Sequence, residues 1–185
     1  WCGVDGGHRD PWCALWLARA PDGRLVVYRE QYQTRLGADE QARALLRACD
    51  AHEGERPAVI YADPAMFNKR ANLTVSDAQE YQKEGVMLSP GNNVRVVGWR
   101  RVGQTLTRVL DDGYPMLVLV EGAAPHLQRT LPQLLAAPMK REDISPEHGR
   151  ADPDSQYSIR DDAADALRYA IPPALAPSTD LREAE

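Results

Sequence analysis

Apolar residues recur along this chain with two different periods, and the changes of period mark out its elements. Residues 1–5, 12–18 and 24–32 are apolar-rich runs, the last alternating around Leu25, Val27 and Tyr28, and they read as three strands. Pro21-Asp22-Gly23 joins the second to the third as a hairpin turn, because proline presets φ and glycine accepts φ above zero. From residue 38 the period lengthens. Ala42, Leu45, Leu46 and Cys49 fall at i, i+3, i+4 and i+7, which predicts a helix over 38–52. A short apolar strand over 58–62 stops at Asp63-Pro64, since Pro64 cannot donate to a ladder and disfavours helix at the residue before it.

Residues 76–84 read as a helix capped by Ser76 and closed by Gly85, followed by a brief strand over 86–88. A longer helix is predicted over 94–110, with Val96, Val97, Val102, Leu106 and Val109 facing inward and Trp99 in the core. Residues 116–120 form a fully apolar strand and 126–135 an amphipathic helix. Residues 136–158 are rich in Pro, Asp, Glu, Gly and Ser and read as a long loop holding a small hairpin near 139–144. The last helix, over 159–170, ends before Pro172-Pro173, and the polar stretch 173–185 is expected to be a disordered tail. An antiparallel N-terminal meander feeding α/β alternation predicts an α/β domain over 1–172: a mixed β-sheet with helices on both faces. That order fits the ribonuclease H-like arrangement.

Composition narrows the function. With 185 residues, 43% of them hydrophobic and 26% charged, the chain is an ordinary globular domain rather than a disordered or collagen-like one. No apolar run reaches the roughly 18–20 residues of a membrane span, and the first residues form no signal peptide, so neither a membrane nor secretion is expected. Cys2, Cys13 and Cys49 show none of the close spacings of zinc sites and suit reduced, buried thiols inside a cell. A net charge of −5 is unusual for a domain that grips DNA unaided. Any nucleic-acid role must lean on metal ions, a local basic stripe or a partner domain. The start at Trp1 rather than Met leads us to expect a domain cut from a longer polypeptide.

Candidate chemistry lies in the aspartates. Asp5 ends the first strand among Gly3, Gly6 and Gly7, and Asp63 ends the fourth, expected to be the central strand, where open α/β sheets place their crevices. Asp161, Asp162 and Asp165 open the last helix, with Asp162 and Asp165 on one face. Asp5 also suits a turn, Asp63 an Asx turn, and Asp161 and Asp162 a helix start, so each has a structural reading of its own. Together, crowded carboxylates call for positive charge, and two divalent cations would supply it. One would activate water and the other would steady the leaving oxygen of a phosphodiester. Oxygen ligands without cysteine or clustered histidine point to Mg²⁺ or Mn²⁺.

Four stretches carry a family resemblance: Gly3-Val4-Asp5-Gly6-Gly7; Tyr61-Ala62-Asp63-Pro64; Pro90-Gly91-Asn92-Asn93 with Gly98-Trp99-Arg100-Arg101-Val102; and Asp161-Asp162-Ala163-Ala164-Asp165-Ala166-Leu167-Arg168-Tyr169-Ala170. In matching order over residues 1–171, they make the chain resemble the C-terminal nuclease domain of a bacteriophage terminase large subunit. The last stretch is the most specific, although Asp162 stands where many relatives carry His. The resemblance implies that Asp5, Asp63, Asp162 and Asp165 are catalytic and hold two metal ions, with Asp161 a third-choice ligand in the last helix after Asp162 and Asp165. It implies a metal-dependent endonuclease that cuts concatemeric viral double-stranded DNA, leaving 3′-hydroxyl and 5′-phosphate ends, in the cytoplasm of an infected bacterial host. It also implies an ATPase domain elsewhere in the full-length chain, a small terminase subunit and a portal ring as partners. No phosphate-binding Gly-x-x-x-x-Gly-Lys-Ser/Thr loop occurs, so no ATP is expected in this domain.

DNA-contact candidates are Lys69, Arg70, Arg100 and Arg101, with Arg95, Arg108, Lys140 and Arg141 behind them, all of which also suit a solvated surface. His8 lies near Asp5 in sequence, while His52, His126 and His148 give no ligand spacing. Rival readings are a transposase or resolvase on the same fold and a non-catalytic docking module for the packaging motor or portal. A sugar kinase is disfavoured by the missing second phosphate loop.

Overall fold

The computed structural model describes residues 1–69, 74–136 and 160–171. Its strands are β1 (Cys2–Asp5), β2 (Trp12–Arg19), β3 (Leu25–Gln33), β4 (Ile60–Ala62), β5 (Ser89–Pro90) and β6 (Leu117–Leu119). The helices are α1 (Ala38–Asp50), α2 (Asp77–Lys83), α3 (Arg95–Thr107), α4 (Pro125–Ala136) and α5 (Asp162–Ala170), with a 3₁₀ turn over Pro64–Phe67. One six-stranded sheet runs β5-β4-β1-β2-β3-β6. The meander β1-β2-β3 is antiparallel, while β4 pairs parallel to β1, β5 to β4 and β6 to β3. This is the mixed α/β, ribonuclease H-like sheet that the periodicity predicts.

Strand β2 shows why both faces are covered. Cys13, Leu15 and Leu17 pack into a core with side chains of α3, α4 and α5. Trp12, Ala14 and Trp16 alternate with them and pack with side chains of α1 and α2. A strand buried on both sides reads as a continuous apolar run, as 12–17 does.

Several boundaries differ from the sequence reading, each for a local reason. The strand expected over 86–88 begins instead at Ser89, because the Val86 N–H donates to the Tyr81 carbonyl (2.9 Å) and closes α2 beyond Gly85, whose φ is +84°. Ser76 caps that helix as expected, accepting from the Gln79 N–H. Helix α3 stops at Thr107: Arg108 is extended and begins a small ladder in which Val109 opposes Pro115, leaving Val109 exposed rather than inward. Gly98, Trp99, Val102 and Thr105 form the buried stripe of α3, and Trp99 lies in the core. Strand β4 is the second from one edge rather than central, because the antiparallel meander puts β1 and β2 in the middle. The hairpin at 139–144, Lys140, Arg141, His148 and the tail 173–185 fall outside the described residues.

Helix α5 packs across β1 through small residues. A Cβ on Gly3 would lie 2.1 Å from the Ala166 carbonyl oxygen, so only glycine lets helix and strand approach this closely. The Trp1 indole N–H donates to the Ala170 carbonyl (2.7 Å) and pins the end of the same helix. All three cysteines are buried and unpaired.

Candidate acidic centre

Parallel pairing sets the first two aspartates side by side. Val4 pairs with Ala62, and the Asp63 N–H donates to the Val4 carbonyl (3.1 Å), so Asp5 and Asp63 leave the same edge of neighbouring strands. Asp63 Oδ1 accepts from the Ala65 N–H (2.9 Å), which caps the 3₁₀ turn and leaves Oδ2 to other work. Asp162 and Asp165, both buried, come from the first turn of α5, with Asp161 at its N-cap.

Burial pushes the Asp5 carboxyl well above the usual carboxylate range, and the negative charges of Asp165, Asp162, Asp63 and Asp161 push the same way. The other four predicted aspartates therefore all bear on Asp5. Among the described residues, no hydrogen bond or ion pair reaches the Asp5 carboxylate. Burial also raises Asp165, against the opposing pull of Arg168 and Arg95. The Tyr169 phenol is raised by burial too, opposed by Arg168 and reinforced by Asp5, Asp63 and Asp165, which puts it beside the same cluster.

Arginines that the sequence reading did not assign here neutralise the α5 side. Arg95 donates to Asp165 Oδ2 (2.6 Å) and Asp161 Oδ2 (3.0 Å), and Arg168 Nε donates to Asp165 Oδ1 (3.0 Å). Arg160 bridges Asp162 Oδ2 (2.9 Å) and Asp10 Oδ1 (3.0 Å). The Tyr32 hydroxyl donates to Asp162 Oδ2 (3.0 Å). With the side chains so placed, no group of three or more His, Cys, Asp or Glu among the described residues is arranged to hold a metal ion. The donor chemistry nevertheless fits a hard divalent cation. It is all carboxylate oxygen, and the half-buried Asp5 carboxyl, crowded by like charge, has no donor among the described residues to compensate it.

The remaining predicted residues scatter. Lys69 is exposed and pairs its backbone with Ser76, and Arg70 lies outside the described residues. Arg100 and Arg108 are exposed; Arg101 is half-buried and lines a cavity of about 240 Å³ with Tyr61, Asn92 and Tyr169. Arg95 is in the acidic centre rather than on an open face. His8 is exposed, with its ring against the Leu36 carbonyl. His126, which offers no ligand spacing, stacks on Tyr32.

The signal that hides Tyr32 is a β-bulge. Leu17 pairs with Val27 but Trp16 with Arg29, so Tyr28 is an extra residue in β3. Before it the odd positions Leu25 and Val27 join the α3–α5 core. After it the even positions Glu30 and Tyr32 do, opposite Leu15 and Cys13, which reverses the phase read from sequence.

The fold has known counterparts. The large terminase of a thermophilic bacteriophage superposes with a TM-score of 0.61 at 13% identity, over 92% of this chain and 37% of that one. The same thermophilic-phage protein in complex with ATP-gamma-S gives 0.60 at 13% identity, over 92% and 38%. The nuclease domain of the bacteriophage SPP1 large terminase g2p, with bound Mn, gives 0.58 at 16% identity, over 92% and 83%. This chain thus has the α/β fold of a terminase nuclease-like domain, and it spans a little over a third of the thermophilic-phage terminase. No protein-family model and no curated protein matches it. Among the described residues, no helix is long and apolar enough to cross a membrane.

Proposed function

We propose that this chain is the metal-dependent endonuclease domain of a phage DNA-packaging terminase, cutting concatemeric viral double-stranded DNA. The observation that carries the reading is the half-buried Asp5 carboxyl, at a sheet edge without a donor among the described residues and crowded by four other carboxylates, on a terminase nuclease-like fold. Asp5 and Asp63 would hold divalent cations, Mg²⁺ or Mn²⁺, with Asp162 and Asp165 completing the set and Asp161 the least direct. Bound, the cations would supply activation of water and charge stabilisation at the leaving oxygen of the phosphodiester. The chain's own task is to keep those carboxylates at fixed spacing, which α5 does by docking on β1. Lys69, Arg70, Arg100 and Arg101 are proposed to meet DNA phosphates. An ATPase domain in the full-length chain, a small terminase subunit and a portal ring would complete the motor, working in the cytoplasm of the infected host. The domain is proposed to span 1–172.

A second reading, a non-catalytic docking module, is favoured by one observation: Arg95, Arg160 and Arg168 already neutralise the α5 carboxylates. Supercoiled-plasmid cleavage with Mn²⁺, Mg²⁺ or EDTA separates the two. Asp63→Asn serves as the control, because its side-chain oxygen keeps the cap on Ala65. Metal-dependent nicking lost in that variant supports the nuclease. Folded protein that neither nicks nor binds Mn²⁺ sinks it in favour of docking.

A further inference from the structure

Strand register lines up three residues across the middle of the sheet: Asp5 opposite Cys13, and Cys13 opposite Tyr32. Tyr32 therefore sits two strands from Asp5, on the face that α5 covers, and its hydroxyl reaches Asp162 Oδ2 at 3.0 Å. Its ring is held from behind. His126 stacks on it with centroids 3.8 Å apart and planes 8° from parallel.

His126 is fixed in turn by Glu30, whose side chain is 1% exposed. Glu30 Oε1 accepts from the His126 backbone N–H (3.0 Å) and lies 2.8 Å from its Nδ1, and Oε2 accepts from the Leu127 N–H (2.9 Å). Those are free N–H groups of the first turn of α4, where a carboxylate is doubly favoured by unsatisfied donors and by the helix dipole. Glu30 and Tyr32 reach this face together because of the bulge at Tyr28.

We infer that Tyr32 is a positioning residue for Asp162, kept in place by the His126 stack and the Glu30 anchor at the head of α4. The inference rests on the metal-centre reading proposed above. A carboxylate with one oxygen engaged by a neutral hydroxyl and by Arg160 Nε offers a cation its other oxygen. Here that is Oδ1, whose contact is a long 3.3 Å one to Arg160 Nη2. Fixing which oxygen faces the cation is what a hydrogen-bonding partner behind a metal ligand does. The stack explains why a tyrosine performs it: a ring clamped on one face has little freedom to swing its hydroxyl away.

The test is calorimetric titration of the chain with Mn²⁺, for the wild type, Tyr32→Phe, Asp162→Asn, Asp5→Asn and the Tyr32→Phe/Asp162→Asn pair, with thermal melts alongside. Phenylalanine keeps the stack, so Tyr32→Phe is expected to fold and melt near the wild type. It should bind Mn²⁺ about 10–100-fold more weakly. In the pair, the tyrosine change should add almost nothing to Asp162→Asn, the non-additivity of a residue that acts through another. Wild-type affinity in Tyr32→Phe, alongside loss in Asp5→Asn, would overturn this inference and leave the metal centre standing. So would full additivity in the pair. No Mn²⁺ binding by the wild type would overturn both.

Discussion

Replacing Gly3 with alanine inserts one methyl carbon between β1 and α5. On the observed backbone that carbon would lie 2.1 Å from the Ala166 carbonyl oxygen, 2.6 Å from Ala170 Cβ and 3.0 Å from the Ala170 nitrogen. A carbon–oxygen contact settles near roughly 3.3 Å, so α5 must retreat by about 1 Å. The obstacles are backbone and a short Cβ rather than a flexible side chain, so no rotamer change relieves them. Overpacking of this kind costs about 1–3 kcal/mol, which for a domain of this size lowers Tm by roughly 2–12 °C. The helix that retreats carries Asp162 and Asp165. On the proposed nuclease reading, a misplacement of that size at a catalytic group costs on the order of 100-fold in rate, so cleavage should fall far more than the melting temperature suggests. Gly103→Ala is the control: it lies within α3 with no heavy atom within 4 Å of the added carbon. Alanine there should stabilise by roughly 0.5–1 kcal/mol. Circular-dichroism melts and plasmid cleavage on both variants decide the matter. Gly3→Ala with wild-type melting and wild-type cleavage would refute the claim that close helix–strand approach builds the site.

Other outcomes follow from the electrostatics. The Asp5 carboxyl titrates higher in the folded chain than in the unfolded one, so within that window the folded state holds the extra proton and metal-free stability falls as pH rises. Asp5→Asn should flatten that slope and be the more stable protein at pH 8 in EDTA. Urea unfolding at pH 5 and pH 8 checks it, and an unchanged slope would count against the half-buried, crowded carboxyl. Burial pushes the Cys2 and Cys13 thiols up, and Cys49 is buried as well. All three should resist a thiol-specific chromogenic reagent in the native chain and react once it unfolds. A thiol that reacts natively at the rate of free cysteine would contradict this packing.

The sheet and its helices were legible because they rest on period. Residues 12–17 are apolar throughout, and the buried strand β2 is the reason; α1 announces itself through Ala42, Leu45 and Cys49. The aspartates were legible as a group because Asp5 and Asp63 close strands and Asp162 and Asp165 share a helical face. What the sequence could not show depends on register and on distant partners. The extra residue Tyr28 reverses the phase of β3, so alternation from Leu25 and Val27 does not by itself place Glu30 and Tyr32 on the α5 face. Arg95 looked like one more cation on a solvated helix, since nothing local says that α3 lays it against Asp165. Arg160 follows an aperiodic stretch and carries no pattern of its own.

The contact between the indole of Trp1 and the end of α5 joins residues 169 positions apart in the chain, and Tyr32 meets Asp162 across 130. Bringing such distant segments together is the slow part of folding, because loop-closure entropy opposes it until the packed contacts form. During synthesis the meander and α1 leave the ribosome long before the helix carrying Asp162 and Asp165. A nascent chain therefore holds Asp5 and Asp63 without the groups that complete their centre. On the proposed nuclease reading, cutting would begin only once α5 docks, and a chain that stops short of that helix would lack Asp162 and Asp165 and leave the DNA around it intact.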